Sequence, residues 1–400
     1  MTHDPIVIVG AARTPMGAFQ GELSSLTAPQ LGSAAIRAAL SRAGGDAADV
    51  DEVFMGNVLA AGLGQAPARQ AALGAGLPQS VACTTVSKVC GSGMKATMLA
   101  HDTLAMGSAD IVIAGGMESM TNAPYLLPKA RGGYRMGHGQ IFDHMMMDGL
   151  EDAYDIGPGG QRRSMGTFGE DCAAKYQMTR AAQDEFAIQS VRSAQEAQKS
   201  GALAWEMTPV EIAAKGGAQT IDSDEGPRKI NPDKIPGLRP AFKKDGSITA
   251  ASSSSINDGA AALVLMRESE AKRRGLTPLA KIAAQASHAQ EPSWFTTAPV
   301  TAIAKIYEKT GWTTKSTDLF EINEAFAVVP MAAMVEHAIP REKVNVHGGA
   351  CALGHPIGAS GARILVTLLG ALRAQDKTRG IATLCIGGGE ATAVAVERMA

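Results

Sequence analysis

The sequence predicts an α/β fold in which a mostly parallel sheet is covered by helices on both faces. Short β-branched runs bounded by glycine alternate with alanine-rich helical stretches, a pattern typical of buried strands separated by helices. The predicted strands lie at 6–10, 53–56, 111–116, 279–283, 319–323 and 381–387. Only 4% of the residues are aromatic while glycine numbers 45, so the layers must pack closely through small aliphatic side chains.

The same units recur in two parts of the chain. Three pairs of segments match: 53–57 with 319–323, 92–93 with 360–361, and 115–116 with 387–388, at offsets of 266, 268 and 272 residues. Three matches at nearly one offset indicate an internal duplication, with one half at 1–120 plus 249–270 and the other at 271–400. A chance alignment of glycine-rich segments is the alternative.

Segment 121–248 differs from both halves and is interpreted as an insertion. It contains glycine clusters, three consecutive methionines and a polar stretch at 222–240. A long polar helix is predicted at 180–200, because Thr179 is a suitable N-cap and acidic residues follow in the early turns. Structured insertions of this length often form the walls of substrate sites.

Composition excludes several classes of partner. Lysine and arginine number 37 against 39 acidic residues, so the net charge of −2 creates no field that attracts nucleic acid or an anionic membrane. The apolar run at 6–9 is too short to span a bilayer, and no secretory signal precedes it. Five cysteines are few and odd in number, which indicates free thiols and a cytoplasmic location.

Cys90 is the first candidate for chemistry. It precedes a helix predicted at 94–106, where unpaired N–H groups and the helix dipole favour a thiolate, the nucleophilic form of cysteine. Gly91 and Gly93 would let a substrate approach the backbone. The alternative is a small core cysteine in a glycine turn.

His355 is the second candidate and lies ahead of a helix predicted at 364–373. If the halves are duplicates, Ser360-Gly361 superposes on Ser92-Gly93, which places His355 near the same end of the sheet as Cys90. His355 would then take the thiol proton or polarise a carbonyl group. A capping or core histidine is the alternative.

Two further strand ends carry polar groups. Cys385 ends the last apolar strand, and the glycines after it leave backbone N–H groups free for an oxyanion, while the thiol can serve as a general acid and base. Asn323 ends another strand of the same half and can hold a water molecule or an oxyanion. Because open α/β sheets bind ligands at the carboxyl ends of their strands, the four candidates are expected on one rim.

The chain resembles the thiolase family over essentially its whole length. The matching motifs are KVCGSG at 88–93, GGMESM at 115–120, NDGA at 257–260, NEAF at 323–326, GHPIG at 354–358 and CIGGG at 385–389. The resemblance implies two duplicated βαβαβαββ halves in a five-layered α/β/α/β/α core, with an inserted loop domain that binds coenzyme A (CoA).

The resemblance also implies roles for the candidate residues. Cys90 accepts the acyl group, His355 activates its thiol, and Cys385 moves the α-proton of the second acyl-CoA. One oxyanion site comes from His355 and a water held by Asn323, and the other from the backbone N–H groups of Cys90 and Gly387. CoA is itself a substrate, so no separate cofactor and no metal are implied. A homotetramer, a dimer of dimers, is implied as well.

The family pattern further implies how CoA is held. Arg228 matches a basic residue near the adenine nucleotide, and Ser254 one that bonds the pantetheine arm. The apolar lining is matched by Leu150, Met165, Phe242, Ala250, Phe295, Ala325 and Phe326. For Arg228 an ordinary surface arginine is the alternative.

The leading functional hypothesis is condensation of two acetyl-CoA molecules to acetoacetyl-CoA, and the reverse thiolysis. A degradative 3-ketoacyl-CoA thiolase acting on longer chains is the closest alternative. A non-catalytic acyl-CoA-binding protein is the alternative from another class. The enlarged loop at 155–163 is either a specificity device or a solvated variation away from the acyl tail.

Overall fold

A computed structural model describes residues 4–157, 159–214 and 216–399 of the chain. The strands are β1 (Ile6–Arg13), β2 (Gly17–Ala18), β3 (Glu52–Gly56), β4 (Ala82–Val86), β5 (Ile111–Ser119), β6 (Tyr125–Leu126), β7 (Phe142–Asp143), β8 (Glu151–Ile156), β9 (Arg162–Ser164), β10 (Val210–Ala214), β11 (Gly217–Ile221), β12 (Asn257–Arg267), β13 (Ala280–Ala289), β14 (Leu319–Ile322), β15 (Arg379–Ile386) and β16 (Glu390–Arg398). All six predicted strands are present, as β1, β3, β5, β13, β14 and β15.

The α-helices are α1 (Ala28–Ala43), α2 (Pro67–Gly74), α3 (Ser92–Ala105), α4 (Met165–Lys175), α5 (Arg180–Ser200), α6 (Glu225–Lys229), α7 (Glu268–Arg273), α8 (Ala298–Thr310), α9 (Val328–His337), α10 (Ala350–Leu353) and α11 (Ile357–Ala374). Short 3₁₀ turns lie at Ala47–Asp49, Pro232–Gly237, Pro292–Thr297 and Arg341–Lys343, and a π turn at Met146–Leu150. The predicted helix at 180–200 is confirmed as α5, and the Thr179 side chain accepts the N–H of Ala182 at 3.2 Å.

The main sheet has the order β14-β15-β16-β13-β1-β12-β5-β3-β4, with β2 beside β12. The expectation of a mostly parallel sheet is wrong, since neighbours in the described strands pair antiparallel five times and parallel three times. Helices cover both faces of the sheet, so antiparallel strands here are as continuously apolar as parallel ones. The apolar pattern therefore reports burial and not strand direction.

Equivalent elements in the two halves stack into five layers. Strands β1, β3, β5 and β12 of the first half have counterparts in β13, β14, β15 and β16 of the second. Helices α3 and α11 pack between the two groups of strands in one apolar core. Helices α1 and α2 cover the outer face of the first group, and α8 and α9 that of the second. The boundaries at 120, 248 and 270 stay a prediction.

Helices α3 and α11 approach each other through glycine. A Cβ atom at Gly93 would lie 2.9 Å from the backbone nitrogen of Ala362, and one at Gly361 would lie 2.4 Å from that of Met94. Helix α11 begins at Ile357, seven residues before the predicted start, because its first turns use glycine for this close packing and not as a helix break. Cys90 and His355 therefore both lie immediately before the helices of the central layer.

Buried ion pairs connect the inserted segment to the sheet. The fully buried Arg13 at the end of β1 donates to Glu206 at 2.5 Å and to both carboxylate oxygens of Asp224 at 2.7 and 2.8 Å. Glu206 follows α5 and Asp224 precedes α6. Both carboxylates thus hold the insertion against the core by charge-assisted bonds.

Helix α11 is the one helix of the described ranges that is long and apolar enough, by length and composition, to cross a membrane. Of that stretch, 89% is buried inside the protein, as in the core helices of globular folds.

Candidate active site

A small apolar cavity of about 60 Å³ lies where the two halves and the insertion meet. It is lined by Val89, Cys90, Gly149, Leu150, Met165, Ser254, Phe295, Ala325, Phe326, His355, Ile357, Cys385 and Gly387. Four of the five predicted catalytic residues and six of the nine predicted CoA-binding residues are in this lining. The structure thus brings together residues from segments that are far apart in the chain.

Cys90 lies in a tight turn ahead of α3 and is partly accessible from the cavity. The preceding residue, Val89, has a φ of +44°, which is strained for a β-branched side chain and typical of functional turns. The backbone N–H groups of Gly387 and of Cys90 itself are close enough to the Cys90 sulfur to lower the pKa of its thiol. Two backbone donors from opposite halves therefore lie beside the nucleophile.

The prediction of a thiolate at Cys90 is wrong for the free protein. Burial raises the pKa of Cys90 to about 11 and outweighs the two backbone N–H groups, which lower it. A helix N-terminus stabilises a thiolate only where solvation is kept, and this turn is largely desolvated. Cys90 is consequently a thiol that needs a base.

His355 has the properties of such a base. Burial, with the charge of Arg363 as a smaller cause, lowers the pKa of His355 to about 3, so the imidazole is neutral. Its Nδ1 lies 2.5 Å from the hydroxyl of Ser360, which itself donates to the carbonyl oxygen of Pro356 at 3.0 Å. Nδ1–H therefore donates to Ser360, and Nε2 keeps a free lone pair. Within the described ranges Nε2 has no hydrogen-bond partner.

Cys385 is the penultimate residue of β15 and lines the cavity. Burial first, and the charge of Cys90 second, raise the pKa of Cys385 well above its usual range. Ile386 and Gly387 follow Cys385. Gly388 and Gly389 then turn the chain, with φ of +93° and +86°. Those angles require glycine, and the turn follows Gly387, which lines the cavity.

Asn323 contacts the imidazole but does not line the cavity. Its backbone N–H is held by the carbonyl of Thr383 at 3.0 Å, which fixes it beside β15. Its side-chain nitrogen lies 3.5 Å from Nδ1 of His355, and its side-chain oxygen is buried without a hydrogen-bond partner in the described structure. An acceptor of this kind suits a bound water, and the water site at Asn323 stays a prediction.

Three predicted CoA-binding residues lie outside the lining. Arg228 is on α6 and pairs with Glu22 at 2.5 Å. Phe242 packs edge to face on Phe326, with ring centroids 5.8 Å apart, and so supports the cavity wall from behind. Ala250 is exposed. Their proposed contacts with CoA stay predictions.

The enlarged loop adjoins the cavity. Strands β8 and β9 form a hairpin whose two ends continue into Leu150 and Met165, both of which line the cavity. Tyr154 of this hairpin lies against Gly388, where a Cβ atom would be 3.3 Å from its ring. Pro158 lies outside the described residues. The described residues 155–157 and 159–163 are themselves absent from the cavity lining, so both interpretations of this loop stay predictions.

Several residues of the site have no recognisable role in the sequence alone. Ile357, Val89 and Gly149 line the cavity, and Ser360 fixes the histidine tautomer. Glu118 belongs to the GGMESM motif, and its buried carboxylate contacts the turn that carries His355. No local pattern distinguishes these residues, because their partners are distant in the chain.

Comparisons with known proteins agree with this geometry. The profile of the thiolase N-terminal domain matches residues 6–269, and that of the thiolase C-terminal domain matches residues 276–398. Acetyl-CoA acetyltransferase 1 of Arabidopsis thaliana is 53% identical, covering 98% of this chain and 94% of that protein.

Further relatives and a solved structure extend the match. The acetyl-CoA acetyltransferase of Schizosaccharomyces pombe is 48% identical, over 100% of this chain and 100% of that protein. The acetyl-CoA acetyltransferase of Cupriavidus necator is 49% identical, over 98% of this chain and 99% of that protein. A crystal structure of a thiolase from Ascaris suum in complex with coenzyme A superposes with a TM-score of 0.92 at 40% identity, over 99% of this chain and 100% of that one. The chain belongs to the thiolase family.

Proposed function

We propose that the protein is an acetyl-CoA C-acetyltransferase, which condenses two acetyl-CoA molecules to acetoacetyl-CoA and CoA and also catalyses the reverse thiolysis. The observation that carries the proposal is the arrangement of two thiols and a neutral imidazole around one small cavity, with two backbone N–H groups beside the Cys90 sulfur. The names of the relatives support the same activity. CoA is a substrate here, so the chemistry needs no separate cofactor.

In the first half-reaction His355 accepts the proton of the Cys90 thiol through Nε2. The sulfur attacks the acetyl carbonyl carbon, and the negative charge on its oxygen is stabilised by the N–H groups of Cys90 and Gly387. CoA leaves as a thiolate and takes the proton from His355. The product is acetyl-Cys90 with a neutral imidazole, ready for the second substrate.

The second half-reaction needs the thiolate of Cys385, whose thiol proton passes to Nε2 of His355. The thiolate then removes the α-proton of a second acetyl-CoA, and the Nε2–H of His355, together with a water held by Asn323, stabilises the enolate oxygen. The enolate carbon attacks acetyl-Cys90, acetoacetyl-CoA is released, and the Cys90 thiolate regains a proton from His355, which leaves Cys385 as a thiol. Acetylated Cys90 cannot ionise, so a thiolate at this position, which is one of the causes that raise the pKa of Cys385, cannot form beside Cys385 in the intermediate.

The cavity supports a preference for the shortest acyl group. Its volume of about 60 Å³ is well below the roughly 150 Å³ of an engineered cavity that binds benzene. Because extra methylene groups in a packed site cost about 1–3 kcal/mol each, we expect kcat/KM for acetoacetyl-CoA thiolysis to exceed that for a 3-ketooctanoyl-CoA by at least about 10-fold. Thiolysis kinetics over a series of 3-ketoacyl-CoA lengths measure this directly. Equal or better use of the longer chain would instead favour the degradative alternative.

We further propose a homotetramer of paired dimers. Strand β4 is an exposed sheet edge on which Ala82 and Thr84 face solvent, and such an edge can pair with its own copy across a two-fold axis. The hairpin around β6 and β7 exposes Tyr125, Met136 and Ile141, an apolar surface suited to a second contact. Sedimentation equilibrium is expected to give four times the chain mass of 41.3 kDa, and a stable monomer would contradict the proposal.

The cytoplasmic location also remains a proposal, supported by five free cysteines.

A further inference from the structure

Glu118 is a fully buried carboxylate at the end of β5 that lies outside the cavity lining. Its two oxygens accept four hydrogen bonds. One oxygen accepts from the side chain of Asn57 at 2.7 Å and the N–H of Leu59 at 3.1 Å, and the other from the N–H groups of Val58 at 3.0 Å and Gly358 at 2.9 Å. A single carboxylate therefore joins the loop after β3 to the first turn of α11.

The bond to Gly358 connects the two halves of the molecule across 240 residues of sequence. Gly358 is the second residue of α11, three positions after His355, so its N–H is one of the unpaired donors of the helix N-terminus. A Cβ atom at Gly358 would lie 2.5 Å from the Glu118 carboxylate, which means that glycine is required for this contact. The main chain of the His355 turn is thus fixed from the opposite half.

The same carboxylate also fixes the Cys90 side of the site. The N–H of Leu59 donates a hydrogen bond to this carboxylate. Leu59 packs with Ile357 in one apolar cluster, and Cys90 packs against that cluster. Gly116, on the same strand as Glu118, approaches so closely that a Cβ atom there would lie 2.1 Å from the carbonyl oxygen of Gly358. Displacement of the carboxylate would therefore shift the base relative to the thiol.

We propose that Glu118 is a positioning residue, which holds the His355 turn against the Asn57–Leu59 loop so that the imidazole faces the Cys90 thiol. This inference rests on the roles proposed above for Cys90 and His355. Glu118 itself lies outside the cavity lining. Its effect should therefore fall on the rate of acyl transfer and not on CoA binding.

The test uses Glu118→Gln in the full-length protein. Each carboxylate oxygen accepts two N–H groups, so the amide nitrogen of glutamine must face two donors in either orientation and displace one of the two segments. A misplacement of about 1 Å lowers rates by roughly 10²-fold, so the rate constant of Cys90 acetylation is expected to fall about 100-fold while the Kd of CoA stays within about threefold. Rapid quench with mass spectrometry of acetyl-Cys90 measures the rate, and calorimetry measures the Kd.

Asp51→Asn is the matched control. Asp51 accepts the N–H groups of Asp110 and Ile111 at 2.7 and 3.0 Å at the opposite end of β5, far from the cavity, so its variant should acetylate at the wild-type rate. A folded Glu118→Gln protein with acetylation within about threefold of wild type, or with equal losses in rate and CoA affinity, would overturn the proposal. If Glu118→Gln fails to fold, Glu118→Asp replaces it, because this variant keeps the charge but withdraws the carboxylate. Its rate of Cys90 acetylation should also fall while the Kd of CoA stays near wild type. Acetylation of Glu118→Asp at the wild-type rate would overturn the proposal.

The pH profile gives a second readout. Burial, reinforced by the charge of Asp258 on β12, raises the pKa of Glu118 to about 7 against the backbone N–H groups that lower it. The other titratable groups nearby are Cys90, with a pKa of about 11, and His355, with a pKa of about 3. As the pH falls through about 7, Glu118 gains a proton and no longer accepts all four donors, so wild-type acetylation should slow. This decrease in the acetylation rate below pH 7 is expected to be absent in Glu118→Gln. The same decrease in both proteins would contradict the positioning role.

Acetylation of the Cys90→Ala protein separates this proposal from the proposed function. That variant should accept no acetyl group whatever the result for Glu118. Acetyl transfer to another residue would refute the role of Cys90, whereas a normal rate in Glu118→Gln would refute only the positioning role.

Discussion

Replacement of Cys90 by alanine is expected to lower both condensation and thiolysis by about 10⁴-fold or more, because the covalent acyl intermediate can no longer form. No other thiol is placed to substitute. Cys385 shares the cavity, but the two backbone N–H groups at the site lie beside the Cys90 sulfur. Incubation with acetyl-CoA followed by mass spectrometry should find one acetylated thiol in the wild-type protein and none in Cys90→Ala.

Cys83→Ala is the matched control for this variant. Cys83 is partly buried on the edge strand β4, outside the cavity lining, and is expected to leave both activities near wild type. A Cys90→Ala protein that keeps condensation within about tenfold of wild type would show that acyl transfer does not pass through this residue. Absence of acetylation in the wild-type protein would instead favour the non-catalytic acyl-CoA-binding alternative.

Local patterns in the sequence were sufficient to predict the elements that carry the site. The apolar runs correctly located β1, β14 and β15, because a strand buried on both faces has few polar positions. The same burial concealed strand direction, so the sheet is mixed where a mostly parallel one was expected. Strand β12 was not recognised, because its alanine-rich sequence is compatible with either a helix or a strand.

Electrostatic properties were less predictable than positions. The sequence places Cys90 ahead of a helix, which alone would favour a thiolate, but the extent of desolvation depends on residues such as Leu59 and Ile357 that pack around it from elsewhere. The neutral state of His355 likewise depends on its burial and on Arg363. Long-range contacts of this kind, including that of Glu118 with Gly358, have no signature in a local motif.

Replacement of Cys385 by alanine is expected to separate the two half-reactions. Cys385 has no part in the transfer of the acetyl group to Cys90, so acetylation should stay within about threefold of wild type. The second step loses its base, and general acid–base catalysis contributes roughly 10²- to 10⁴-fold, so acetoacetyl-CoA formation should fall by that factor. In thiolysis the same thiol protonates the leaving enolate, and a similar loss is expected. Rapid quench of acetyl-Cys90 and the absorbance of acetoacetyl-CoA measure the two steps independently.

A comparison of Cys385→Ala with Cys172→Ala tests the proposed order of proton transfers. Cys172 is also fully buried and close enough to Cys385 for its charge to affect the pKa of Cys385, but it lies outside the cavity, so Cys172→Ala should retain both half-reactions. Ionisation of Cys90 would oppose ionisation of Cys385, and acetylation of Cys90 prevents it. If Cys385→Ala lost acetylation and condensation equally, Cys385 would have to act before the intermediate forms. Because the imidazole of His355 is already neutral and has a free Nε2, that outcome would require a different base for Cys90 and a revision of the first half-reaction.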